Sequence, residues 1–318
     1  MLKAALRRVA LSLLTLLLLS VFVFVATEVL PGDALDVVLS ADEISTMPPQ
    51  RLAQMKHELG LDRPATVRFG EFLAGAVRFD FGRTLLSRAP VSAIVWHPLR
   101  NSWVLAGAVL AIALPLALFI GVVSACRHRR TSDTVISTAA IIGYSIPEFV
   151  IGTVLVLLFA VAWPLFPATI TANTDASALT LLAASPLPVL TVVIGSVAYL
   201  GRVLRAGMIE ALASDFVERL RLTGIPAWRI VLLHALPAAV VPGLTAMALY
   251  AASLVSGIVV VELVFAYPGL GQELVRAVTR REVPVIQAIA LLGAATVVAC
   301  NLTADLAILA IDPRTRTR

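Results

Sequence analysis

Few residues in this chain combine the types and spacing that chemistry requires. A phosphate-binding loop needs Lys followed by Ser or Thr after a glycine-rich turn, yet the two lysines, Lys3 and Lys56, precede Ala4 and His57, so ATP is not held that way. His57, His97, His128 and His234 stand apart with no His-Glu-x-x-His spacing, and Gly269 with Gly271 lacks the third glycine of a dinucleotide fingerprint. Cys126 and Cys300 form no Cys-x-x-Cys pair and imply neither a disulfide framework nor a metal site. The chain therefore reads as a non-enzyme, with no catalytic residues, cofactor or metal expected. One ionisable residue stands out. Glu148, in Ser145-Ile-Pro147-Glu-Phe-Val, lies inside a long apolar run, about fifteen residues along it and so roughly 22 Å deep at 1.5 Å per residue. A carboxylate facing lipid there costs about 2.5–3.5 kcal/mol or more, so Glu148 should face the bundle interior or a water-filled cavity. Pro147 beside it removes a backbone donor and kinks the helix. Glu148 is a candidate to line such a cavity and attract a cationic group there. The alternative is a structural carboxylate, protonated or bonded to a neighbouring helix or to a partner.

The elements that must position such a residue are membrane helices. With 59% hydrophobic and 14% charged residues, 318 residues cannot cover a soluble core with polar side chains, and the expected fold class is all-α integral membrane. Six apolar runs are long enough to cross a bilayer, which takes about 20 residues: Val9–Leu30, Trp103–Ala125, Thr134–Val161, Leu187–Met208, Ala239–Phe265 and Pro284–Ala310. The first is longer than a signal-peptide core of about 7–15 residues and no small-x-small site follows, so it is read as an uncleaved span. An even number of spans puts both termini on one side. The net charge of +5 is topology information rather than a nucleic-acid patch: Arg127, Arg129, Arg130, Arg202, Arg205, Arg219, Arg221, Arg229, Arg314, Arg316 and Arg318 mark cytoplasmic segments, including both termini. Arg276, Arg280 and Arg281 run against that rule. The expected organisation is a first span over 1–31, an extracytoplasmic helical region over 32–98, and a core over 99–318 with five further spans. In the external region Leu52, Met55 and Leu59, and again Phe69, Phe72, Leu73 and Ala76, have the spacing of short amphipathic helices.

Between the fourth and fifth runs lies the one hydrophilic interruption with local structure of its own, residues 215–237. Asp215 with Glu218 reads as a capping-box start, Gly224 as the left-handed residue that stops a helix, and Pro226 as the first turn of the next. Phe216, Val217 and Leu220 fall in one stripe, with Glu218 and Arg221 opposite. Such a segment can protrude as a rigid knob with one face to dock a partner.

The Gly224 turn followed by His234-Ala-Leu-Pro237 resembles the cytoplasmic coupling loop of binding-protein-dependent ABC importer permeases. The nearest subgroup is the first permease subunit of dipeptide, oligopeptide and nickel importers, although Arg219 and Leu220 stand where that family usually has Glu or Thr and a small residue. Leu59-Gly-Leu-Asp-Arg-Pro64, Asp80-Phe-Gly-Arg-Thr84, Glu262-Leu-Val-Phe265-Ala-Tyr-Pro268-Gly-Leu-Gly271, Asn301-Leu-Thr-Ala-Asp305 and Asp312-Pro-Arg314 carry the same resemblance over nearly the whole chain. It implies a multi-pass subunit of the bacterial cytoplasmic membrane. Its partners would be a homologous second permease subunit, two ATP-binding subunits that hydrolyse ATP, an extracytoplasmic substrate-binding protein and the lipid bilayer, with no nucleic acid. The cargo would be a peptide or similar small solute, nickel or a metal chelate included, and a peptide amino terminus is the kind of cation Glu148 would attract. The resemblance implies that Asp215, Phe216, Val217, Leu220, Gly224, His234 and Pro237 couple the spans to the ATPases, with His234 packing the coupling helix against them. The rivals are an ion-coupled secondary transporter, expected to show broken helices in both halves of an inverted repeat, and an intramembrane enzyme.

Overall fold

The computed structural model describes residues 2–29 and 62–311, with 47, 48, 50, 51 and 54 between them. The helix expected around Leu52, Met55 and Leu59, the first part of the external region and the Asp312-Pro-Arg314 tail lie outside the described residues. Among the described residues extended pairing is confined to one bridge, Arg83 with Pro90; the rest is helix and connecting turns. The elements are α1 Leu2–Val29, α2 Ala65–Val77, α3 Val91–Cys126, α4 Thr131–Ser145, α5 Glu148–Val156, α6 Ala178–Ala184, α7 Pro186–Leu212, α8 Asp215–Leu222, α9 Ala227–Arg229, α10 Leu236–Val264, α11 Leu270–Thr279 and α12 Val283–Ile311. Short π-helical turns extend α5 over Leu157–Ala162 and join α9 to α10 over Ile230–Ala235.

Among the described residues four helices are long and apolar enough to cross a membrane, and five if the bent pair α4 and α5 forms one span. α7 lies at the centre, packed against α3, α10 and α4. Its approach to α3 is close because a Cβ on Gly121 would come within 2.9 Å of the Leu204 Cβ and 3.1 Å of the Gly201 carbonyl oxygen. Small residues at such a crossing let two apolar helices gain dispersion contacts where lipid supplies no hydrophobic drive. α3 begins at Val91 and runs unbroken through Pro98 and Pro115, so the boundary expected near 98 falls within a helix.

α1 is the outlying helix. Leu13, Leu18 and Phe22 are exposed along it, and it is fastened to α12 near both ends. Arg8 pairs with Asp305 at 2.8 Å and donates to its carbonyl, while Gln287 donates to the Thr27 hydroxyl at 2.7 Å. The start of α1 thus lies beside the end of α12, and the two helices run antiparallel. That end of the bundle is here called the terminal end. α2 closes on α1 at the opposite end through Phe69 and Phe72, whose rings stand 5.2 and 6.3 Å from Phe24.

The run expected as one kinked span is two helices bent by 98°. Pro147 has no N–H for the helical ladder and disfavours helical geometry in the residue before it, and Ile146 is accordingly extended at φ −83°, ψ 126°. Glu148 therefore opens α5. It does not lie on a straight helix at the roughly 22 Å that 1.5 Å per residue would give.

Candidate functional site

At the terminal end the chain from α7 turns through α8, Gly224 and α9 into α10. Gly224 adopts φ +79°, with nothing within 4 Å of where a Cβ would stand, so a side chain there meets no neighbour and the demand for glycine comes from the backbone alone. The start of α8 differs from expectation. Ser214 occupies the cap position, its hydroxyl donates back to Ala211, and Asp215 is the first helical residue with no side-chain cap bond formed. A capping box requires the cap side chain to accept from the third residue of the helix, and the hydroxyl of Ser214 is turned the other way. Pro226, at φ −64° and ψ 142°, caps α9 rather than entering its first turn.

The expected stripe also divides. Val217 is buried and Leu220 partly so, against Ala125, Met208, Ile230, Ala235 and Ala239, whereas Phe216 is 52% exposed. Successive helical residues point about 100° apart, so Phe216 and Val217 cannot both face the body. Val217 and Leu220 fasten the knob to its own bundle. The outer surface is formed by Phe216, Leu222 and Trp228, all exposed, with exposed Arg219, Arg221 and Arg229 among them. His234 stands edge-on to Phe216 with centroids 6.1 Å apart. Pro237 lies exposed in the first turn of α10.

Beside the knob sits a charged cluster that composition and spacing did not single out. Asp133 is buried and receives two bonds from Arg205, Nε to Oδ1 at 2.7 Å and Nη2 to Oδ2 at 2.7 Å. Ser124 Oγ donates to Oδ1 at 2.5 Å, and the backbone N–H of Arg129 to Oδ2 at 3.1 Å. This set pins together α3, α4 and α7, the helices that feed the knob. The planar guanidinium matches a carboxylate in this two-bond geometry, and Arg205 is thus a structural ligand as well as one of the arginines that mark topology.

Glu148 is half-buried between α7 and α10. Its oxygens lie 3.8 Å from a Cβ built on Gly195 and 3.6 Å from one built on Gly257, ordinary contact distances that place the carboxylate against both helices. Among the described residues it has no hydrogen bond or ion pair. Tyr250 is within electrostatic reach and begins a ladder of rings. Tyr250 stacks on Tyr199 at 5.1 Å, Tyr199 lies 5.5 Å from Tyr144, and the Tyr250 hydroxyl donates to Ser196 at 2.9 Å.

The opposite end is knitted by a second carboxylate. Glu262, at the end of α10, is fully buried. Ser102 Oγ donates to Oε1 at 2.5 Å and Gly271 N to Oε2 at 2.6 Å, while Leu270 N donates to the same Ser102 hydroxyl at 2.8 Å. Next to it Asn101 donates to the Thr174 and Pro268 carbonyls, and Tyr267 donates to the Asn101 carbonyl at 2.7 Å. A Cβ on Gly269 would overlap the Glu262 carboxylate. The Glu262–Gly271 stretch was legible as a family likeness, but its internal chemistry was not.

A helical bundle with several membrane-length apolar helices, loops locked at one end and a glycine-stopped knob at the other fits an integral membrane protein. The comparisons narrow the class. The chain belongs to the family described as the inner membrane component of binding-protein-dependent transport systems, which matches residues 99–317, and the N-terminal component of the same systems matches 1–103. It is thus a permease subunit of a binding-protein-dependent ABC importer, which bears out the resemblance carried by the Gly224 turn and His234-Ala-Leu-Pro237. It is 32% identical over 311 residues, 98% of each chain, to a protein of Brucella abortus (strain 2308) provisionally named a peptide transport system permease protein. It is also 32% identical over 317 residues, 99% of each chain, to the glutathione transport system permease protein of Salmonella choleraesuis (strain SC-B67).

Proposed function

We propose that this chain is one of two homologous permease subunits in an importer for peptides or similar small solutes, with six spans and both termini cytoplasmic. The spans would be α1, α3, the bent pair, α7, α10 and α12. Arg127, Arg129, Arg130, Arg202, Arg205, Arg219, Arg221 and Arg229 gather at the terminal end, which supports a cytoplasmic assignment. Two ATP-binding subunits dock on the knobs of the permease pair and hydrolyse ATP in their own sites, and an extracytoplasmic binding protein delivers cargo to the other face. The peptide reading is supported by the names of the relatives, and the Glu148 region supplies a polar stretch of pathway.

The observation that carries the coupling role is the knob itself. Its turn hangs on one left-handed glycine, it is clamped inward by Val217, and it presents exposed Phe216, Trp228 and arginines outward. ATPase closure moving such a body would bias the helices between two packings. In the reconstituted complex Gly224→Val is expected to lower both transport and binding-protein-stimulated ATP hydrolysis while the isolated ATPases remain active, because a β-branched residue at φ +79° costs about 1–3 kcal/mol. Full coupled transport by that variant would remove the coupling role. An ion-coupled secondary transporter expects broken helices in both halves; the described residues show one such break, which Pro147 accounts for locally.

A further inference from the structure

We propose that the face of α7 running from Gly195, where Glu148 lies, to Arg202 is a zwitterion site, reading the amino terminus of a short peptide at one pole and its carboxylate at the other. This rests on the peptide reading above and gives that pathway its substrate chemistry. Three observations converge on one face of α7. Gly195, Tyr199 and Arg202 are spaced four and three apart and so share a side of the helix. Glu148 lies over Gly195. Tyr144, Tyr199 and Arg202 line one cavity of about 530 Å³.

The charges at the two poles are uncommitted. Glu148 has no hydrogen-bond or ion-pair partner among the described residues, and the same is true of exposed Arg202. The other cation on the wall, Arg205, is spent on Asp133. A half-buried carboxylate without a partner in an apolar bundle is costly to hold, and a ligand with a cationic and an anionic end relieves that cost at Glu148 while its other end meets the exposed guanidinium of Arg202. Between the poles stand the Tyr144, Tyr199 and Tyr250 rings. Their faces accept a cation or an apolar side chain with little directional demand, so the wall tolerates many side chains while fixing the two ends.

The span sets the length. From Gly195 to Arg202 is seven residues of helix, roughly 10 Å at 1.5 Å per residue, which equals an extended peptide of about three residues at roughly 3.3 Å each. The site therefore suits di- and tripeptides with free termini.

The test compares uptake of trialanine, N-acetyl-trialanine and trialanine amide by the complete complex in proteoliposomes, in wild type, Glu148→Gln and Arg202→Gln. The same binding protein serves all three, so its own selectivity cancels when each variant is divided by wild type. Glu148→Gln is expected to slow trialanine and its amide about tenfold while leaving the N-acetyl peptide at its wild-type rate, since one charged hydrogen bond is worth at least that factor. Arg202→Gln is expected to do the converse, sparing the C-terminal amide. Arg202 is exposed and Glu148→Gln keeps its shape; if one variant fails to assemble, the other pole still decides. Equal slowing of all three peptides, or none, overturns the zwitterion site while leaving the peptide importer standing. Failure of the wild-type complex to take up any of the three, with ATP hydrolysis still stimulated by its loaded binding protein, overturns the peptide reading and this site together.

Discussion

Glu148 and Glu262 both sit in apolar helices of this permease, and their surroundings could hardly differ more. Around Glu262 every neighbouring polar group is committed: Ser102 and the Gly271 amide donate to it, Leu270 is tied to the same serine, and Gly269 has no side chain because the carboxylate fills its place. Glu148 itself makes no bond among the described residues, and it lies against two glycines that give it none. A carboxylate within the membrane is by default a functional candidate, and bonding is what distinguishes this pair. Glu262 is satisfied by its donors and fastens a loop. Glu148 stands at the start of a broken helix with no described bond, as the proposed ligand role requires.

The comparison breaks most readily at Gly269. Gly269→Val would drive a branched side chain into the Glu262 carboxylate and separate it from Ser102 and the Gly271 amide, and each polar group left buried without a partner costs about 1–3 kcal/mol. The complex is expected to fail to accumulate in the membrane, as judged by quantitative blotting against the partner subunits; normal accumulation would show that the Glu262 set is dispensable. A smaller loss is expected from Ser102→Ala, which leaves the Leu270 amide and one carboxylate oxygen short of a partner at about 1–3 kcal/mol. It should appear as a lowered thermal midpoint of the purified complex with transport per assembled complex preserved. Smallest of all in stability is Glu148→Gln, expected within about 1 kcal/mol of wild type because no bond is lost. A drop in midpoint as large as that of Ser102→Ala would place Glu148 in the same structural class as Glu262 and erase the distinction.

The knob and the pathway were legible to different depths. Gly224 could be picked out because a single residue type reports a backbone angle, and the structure has φ +79° there. Phe216 was grouped with Val217 although adjacent helical residues diverge by about 100°; only packing against Met208 and Ile230 decides which one turns inward. The capping-box reading at Asp215 failed because Ser214, one residue earlier, takes the cap position and bonds backward to Ala211. Pro147 announced a kink, but a bend of 98° depends on where α5 finds its packing against α7 and α10.

Composition, the lengths of the apolar runs and the arginine pattern by themselves determined that this is a multi-span membrane protein, because transfer free energy adds along a chain and needs no knowledge of contacts. Local signals determined the glycine stop and the proline break, because each constrains its own backbone. The tertiary structure alone decided that Ser102 meets Glu262 across 160 positions, that Arg205 closes on Asp133 across 72, and that three tyrosines from three helices form one wall. Those pairings arise when helices pack. Helical periodicity says which face of a helix is apolar, but not which neighbour that face will find.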